Sequence, residues 1–382
     1  MSTDSGPYAY HLGGTGVYSA DMMTLGCWGA EAHVEQTGGT MNVELFRTSG
    51  PGTISFSGGS SSISDLRLSE LRHADMSMNI SGDAGVTTGS MVIGSYGTAN
   101  VTQTGGNLQV GSIAIGQNAG SEGSLTVTGG TWSGSNDLTV GAGGKGDFIW
   151  DNGRTTLQRL HIGAAGGIQA GPGSVFEMTN GSSIVIHTVD ASRVSLEEAT
   201  FEMKPSSPGF GSHSMEVASR DMGPTEQGFE QNFALGKLDL QTTGEFCLKL
   251  YDQADNNPSD DGPDALYVDE LLLGNSTIDT NGLPVYYRNG GEVKRLLSGD
   301  NNLDGEVNLL DFSMMCSNYE TGPAGWNGGD CDGDGDVDDD DLSIFAESYT
   351  AHWDPQMVHA PEPGALLVMV TAGALLLKRR RR

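Results

Sequence analysis

The chain has 382 residues and a formal net charge of −30, which is room for two or three domains. An acidic surface repels phosphate backbones, so nucleic acid is excluded as a partner class. Four cysteines are too few and too scattered for a disulfide framework.

Residues 1–46 contain no Lys or Arg, and no apolar run follows Met1. A signal peptide needs a basic start and an apolar core, so none is expected here, and residues 1–32 read as a featureless N-terminal segment.

From 33 to 186 the chain repeats itself. Met91-Val92-Ile93-Gly94, Ile113-Ala114-Ile115-Gly116, Leu138-Thr139-Val140-Gly141 and Leu160-His161-Ile162-Gly163 share one shape, with glycines 22, 25 and 22 residues apart. Between them lie second short strands, Val101–Gly106 and Leu125–Gly130, with an early copy at Val34–Gly39. Alternating apolar residues closed by glycine turns predict short strands with one inward face. One unit cannot bury that face alone, and a period in the twenties predicts stacking into a parallel β-solenoid. An irregular β-sandwich or disorder remains open from the pattern alone. The units resemble the repeats of autotransporter passenger domains.

From 187 to 291 the period fades. Phe233–Leu240, Phe246–Leu250, Ala265–Val268 and Leu271–Leu273 still read as strands, and Asn281-Gly282 as a turn into Val285–Tyr287. This stretch is expected to be the β-rich end and cap of the solenoid. The segment Asp252 to Asp264, with Asp255, Asp260 and Asp261, is either a solvated acidic loop or a weak calcium site.

Parallel β-helices include polysaccharide-cleaving enzymes, whose sites need acids clustered on one face of successive coils. The repeats from 90 to 150 carry few charges, Glu122, Asp137, Lys145 and Asp147. Arg154, Arg159 and His161 are close in sequence, but no carboxylate is expected beside them on adjacent coils. No catalytic residue is assigned.

The strongest signal follows. Asp300-x-Asn302-x-Asp304-Gly305-Glu306-Val307-Asn308-x-x-Asp311 is repeated thirty residues later as Asp330-x-Asp332-x-Asp334-Gly335-Asp336-Val337-Asp338-x-x-Asp341. Oxygen side chains fall at loop positions 1, 3, 5, 9 and 12, and glycine at position 6. A hard cation needs six or seven oxygens, and glycine permits the turn that converges them, so two calcium ions are expected. The carbonyls of Glu306 and Asp336 would supply position 7. Phe312, Met315 and Tyr319 follow the first loop at the offsets of Leu342, Phe345 and Tyr349 after the second, which predicts a helix after each. Cys316 and Cys331 lie in this module and could pair or stay free.

Residues 296–350 resemble a type I dockerin domain. The resemblance implies a small α-helical, EF-hand-like module with two calcium ions and a cohesin-like partner or other cell-surface scaffold. Recognition residues in that family fall at positions 10 and 11. Here these are Leu309 and Leu310 in one repeat but Asp339 and Asp340 in the other, which argues against a symmetric dual binding mode.

Residues 351–382 form a linker and tail. Pro361-Glu362-Pro363 precedes an uncharged run from Gly364 to Leu377 and the basic end Lys378–Arg382. Fourteen helical residues span about 21 Å, short of a hydrocarbon core of about 30 Å. This tail resembles a PEP-CTERM sorting signal, which implies a short C-terminal hydrophobic helix, recognition by an exosortase and export to a bacterial surface. The combined expectation is a non-catalytic exported surface or matrix protein, a solenoid spacer or adhesin carrying a calcium-dependent docking module. The alternative is a polysaccharide-degrading β-helix enzyme tethered through the same module.

Overall fold

The structure, a computed structural model, describes residues 8–26, 30–204, 213–241, 246–257, 262–322 and 324–351. Residues 352–382, where a sorting signal and a short hydrophobic helix are expected, and Cys27 lie outside the described residues.

Twenty strands form one continuous sheet wound as a parallel β-solenoid. Each rung pairs in register with the next. Val34 sits on Ile54, Ile54 on Met78, Met78 on Val101, Val101 on Leu125, Leu125 on Phe148, and Phe148 on Ile168. A second column runs from Leu66 through Met91, Ile113, Leu138, Leu160, Ile184 and Met215 to Leu250. Both columns are buried, with every member at 4% exposure or less. Alternation sends every second side chain inward, and parallel stacking then places like on like at about 4.8 Å per rung. In mid-stack the interior turns aromatic: Trp132 packs on both Phe148 and Trp150, Trp150 on Phe176 and Phe176 on Phe201, with ring centroids 5.0–5.2 Å apart.

The corners explain the glycines. Gly106 has φ +68, and a Cβ there would meet the Ala84 carbonyl oxygen at 2.4 Å. Gly116 has φ +66 and would meet the Lys145 carbonyl at 2.3 Å. Only glycine fits a left-handed corner pressed against the neighbouring rung.

The ladder extends beyond 33–186 on both sides. Upstream, Tyr8–Leu12 and Val17–Leu25 pair in parallel with Ala32–Thr48, so the ladder begins ahead of the repeats expected from residue 33. Downstream, Leu196 sits on Leu235, Leu235 on Val268, and Val268 on Tyr287. The period fades there because the chain between partners grows to 39 and 33 residues (196 to 235, 235 to 268), with a register shift between Leu196 and Thr200 in the first of these pairings. Lys294–Arg295 then turns back antiparallel on Tyr286 and Tyr287, which covers the last strand edge.

Two α-helices follow among the described residues, α1 (Leu309–Asn318) and α2 (Asp339–Ala351). They pack through Val307, Met315, Tyr319, Ala324, Val337 and Phe345. No described helix is long and apolar enough to cross a membrane. The unit is not a bead on a string. Trp326 is 2% exposed and belongs to the solenoid's own core together with Leu296 and Tyr287. A Cβ on Gly325 would strike the Asn275 backbone at 2.1 Å. The loop-helix pair therefore closes the C-terminal end of the stack.

Candidate metal centre

The two Asp-rich loops fold to closely similar hydrogen-bond diagrams, which differ in one donor to the position-1 aspartate. In the first, Asp300 accepts from the backbone N–H of Asp304 at 3.0 Å and of Gly305 at 2.8 Å. Asp330 accepts from Gly333 at 2.7 Å and Gly335 at 3.1 Å. Asp311 accepts from Asn301, Asn302 and Asn308 at 2.9, 3.3 and 3.0 Å, and Asp341 from Cys331, Asp332 and Asp338 at 2.6, 3.1 and 2.8 Å. Asn302 and Asp304 each cap the N–H two residues on, as do Asp332 and Asp334. Gly305 and Gly335 take φ +88 and +98 at the sharp turn. Asn308 caps α1, forming a reciprocal capping box with Asp311.

In the second loop the carboxylates expected to bind metal gather into two groups of three, whereas the first loop's Asp300, Asp304, Glu306 and Asp311 form no such group. Asp330, Asp332 and Asp334 place one oxygen each within 4.8 Å of one another, and so do Asp336, Asp338 and Asp341. Asp336 enters this group through its carboxylate, in addition to the carbonyl role expected of it. The first loop carries fewer charges. Asn302 and Asn308 replace two of the acids, Asn302 donates to Asp304 at 2.9 Å, and the Tyr287 hydroxyl donates to Asp300 at 3.3 Å. Trp326 Nε1 donates to the Asp300 carbonyl at 2.7 Å, so the indole that plugs the solenoid core also holds the first loop residue.

The electrostatics are those of crowded, partly buried carboxylates. Asp300, Asp311, Asp330 and Asp341 are all buried. Burial, with repulsion from Asp311 and Asp304, raises the Asp300 pKa to about 6. Burial and Asp341 raise Asp330 to about 7. Burial also raises Asp332 and Asp341, and the Asp334 charge raises the fully exposed Asp336. An all-oxygen set of this density fits a hard divalent ion, which would relieve the repulsion. Cys316, Cys331 and Cys247 are unpaired thiols, and burial pushes Cys331 well above the usual thiol range.

One expectation about the solenoid face is corrected. Carboxylates do stand beside Arg154 and Arg159 on neighbouring rungs. Arg159 is opposite Asp137, 3.4 Å from it. Glu177 and Glu202 stack in register, and Arg154 reaches both, at 3.0 and 2.7 Å. Lys204 joins them at 3.1 and 2.8 Å. Hydrogen bonds from Arg154 hold Glu202 down at about 2. Rung lengths from 137 to 202 vary, so sequence spacing did not show that these residues align.

His161 lies on the outer face with Nε2 3.4 Å from His187 Nδ1, and burial lowers its pKa. A Ser-His pair with no signal in residue order is Ser182 and His213, 2.6 Å apart. Both are buried, and burial lowers His213 to about 4. Sealed in the stack, the pair meets no substrate.

The chain matches no protein-family model, and no match is found among curated proteins or solved structures.

Proposed function

We propose that this chain is a non-catalytic exported surface or matrix protein, a β-solenoid spacer or adhesin whose closed end is a two-calcium docking module. The observation that carries the reading is the duplicated loop diagram of 300–311 and 330–341, with buried carboxylates at positions 1 and 12 of each. Calcium suits it better than magnesium, because many carboxylate and amide oxygens in a flexible loop serve a large ion of six to eight ligands. The ligands are Asp300, Asn302, Asp304, Glu306, Asn308 and Asp311 for one ion, and Asp330, Asp332, Asp334, Asp336, Asp338 and Asp341 for the other.

The likeness to type I dockerins supplies the partner class, a cohesin-like protein or another surface scaffold. Leu309 and Leu310 are 64% and 58% exposed at the start of α1 and offer an apolar contact, where the second repeat offers Asp339 and Asp340. The tail motif, Pro361-Glu362-Pro363 with its basic end, belongs to the same reading and would route the chain through an exosortase. Against a polysaccharide-cleaving activity, the acids that stack across rungs are held in ion pairs by Arg154 and Lys204.

The test uses the full chain, because removing the solenoid would expose Trp326. Envelope and secreted fractions of the source cells are passed over immobilised protein with calcium, then with chelator. A partner retained only with calcium, and lost by an Asp300→Ala and Asp330→Ala double variant, supports docking. Identical capture by wild type and double variant sinks it and leaves a metal-stiffened stalk.

A further inference from the structure

Trp326 stands where the cap meets the solenoid, and its backbone leads directly into the second duplicated loop. Ala324 belongs to the cap core with Val337 and Phe345, while Trp326, two residues on, belongs to the solenoid core with Leu296 and Tyr287. The turn from Ala324 to Asp330 is tied down at both ends. The Ala324 N–H donates to the Gly335 carbonyl of the second loop at 3.1 Å, and the Asp330 N–H donates to the Gly325 carbonyl at 3.3 Å. Between them, the N–H groups of Gly328 and Gly329 donate to the carbonyls of Gly325 and Trp326 at 2.7 and 3.1 Å. Gly329 turns the chain at φ +107, and a Cβ there would strike the Met315 Cα at 2.7 Å. A turn so closely held cannot move its indole without moving Asp330.

The same region presses on the solenoid at two further points. A Cβ on Gly333 would meet Thr277 Oγ1 at 2.7 Å, and one on Gly325 would strike the Asn275 backbone at 2.1 Å. The joint is nevertheless not packed solid. A groove of about 310 Å³ is lined by Trp326, Leu283, Leu296 and Leu297 together with Ser348 of α2.

Asp330 is 2% exposed and shares its group with Asp332 and Asp334, whose oxygens come within 4.8 Å of one another. Like charges at that spacing repel, and a hard divalent ion would hold them together. Whatever fixes Asp330 also fixes the turn that carries the indole.

We propose that the 324–330 turn is a latch: resting on the reading of the second loop as an ion site, calcium uptake there and seating of Trp326 in the solenoid core are linked. Calcium closes the solenoid end, and chelation loosens it. Such linkage is reciprocal, so unseating Trp326 weakens the ion although the indole touches none of the loop carboxylates.

Calorimetric calcium titration and amide hydrogen exchange of the full chain test this. Calcium is expected to slow exchange in the last rungs, 266–272 and 285–287, and Asp330→Ala to remove that difference. Trp326→Ala leaves every loop carboxylate in place and should weaken calcium about 5-fold or more. Trp326→Phe keeps a ring in the core and guards against a cap that no longer folds. It should also weaken calcium, with helix content in saturating calcium unchanged. If wild type takes up calcium but those rungs exchange equally with and without it, if Asp330→Ala keeps the full difference, or if both Trp326 variants bind as tightly as wild type, the latch falls and the ion reading stands. If wild type takes up no calcium, the ion reading falls and the latch with it.

Discussion

The solenoid and the loop-helix cap are stabilised by opposite means. The solenoid stacks uncharged side chains in register, and its interior holds columns such as Ile54, Met78, Val101 and Leu125. Each rung adds apolar area and strand pairing, so stability accrues along the stack without any ligand. The cap packs a small core around Val307, Met315, Val337 and Phe345 and surrounds it with twelve acids in two short loops. It buries four of those carboxylates, which opposes folding unless a proton or a cation neutralises them. The contrast shows one chain using periodic apolar burial along its length and crowded, partly buried carboxylates at its end.

Trp326 joins the two regions, and removing it should have the largest effect. Truncating a buried tryptophan costs about 3–5 kcal/mol. Trp326→Ala should split thermal unfolding into an early cap transition and a later solenoid transition. A single transition, shifted or not, would show that cap and solenoid do not communicate through this residue.

The pH response separates the regions next. The metal-free cap has Asp300 and Asp330 raised to about 6 and about 7 from 3.8. A raised folded-state pKa means that the folded state holds protons the unfolded state has released. That support is complete below about pH 4 and is lost as pH rises through 6 to 7. In chelator, the cap transition should therefore fall in temperature from pH 5 to pH 8. Saturating calcium should reverse the slope, since protons then compete with the ion. Equal slopes with and without calcium would refute metal binding at these carboxylates.

The smallest effect is expected on the solenoid face. Arg154 is half exposed while bridging Glu177 and Glu202. Solvent-screened pairs contribute about 0.2–1 kcal/mol. Arg154→Ala should lower the solenoid transition slightly, with less difference at high salt. A loss of several kcal/mol would mean that this network, not the aromatic column beneath it, holds the middle rungs.

Much of this was legible in residue order. The 22- and 25-residue glycine spacing announced the rungs, because a corner with positive φ pressed on its neighbour admits little else. The duplicated loops announced two similar hydrogen-bonded turns, each leading into a helix, because their partners lie within twelve residues. Less legible were contacts set by register. Gln103 is fully buried and its amide donates to Thr131 across a corner at 2.9 Å, a role hidden in what reads as a polar turn. Gln36 does the same toward Ser60 at 3.1 Å.

Sequence by itself determined the parallel solenoid, its glycine corners and the two acidic loop-helix units, since each rests on local periodicity or short spacing. Tertiary structure alone decided that Tyr8–Leu12 and Val17–Leu25 form the first rung, that Glu177 and Glu202 meet Arg154, that Trp326 seats the cap in the solenoid core, and that Glu216 accepts from the Gln253 and Ala254 N–H groups. Those contacts depend on the number of residues between one rung and the next, 20 from Val34 to Ile54 but 26 from Ile168 to Val194. Corner loops absorb that difference freely, and only the folded ladder fixes which side chains come to face each other.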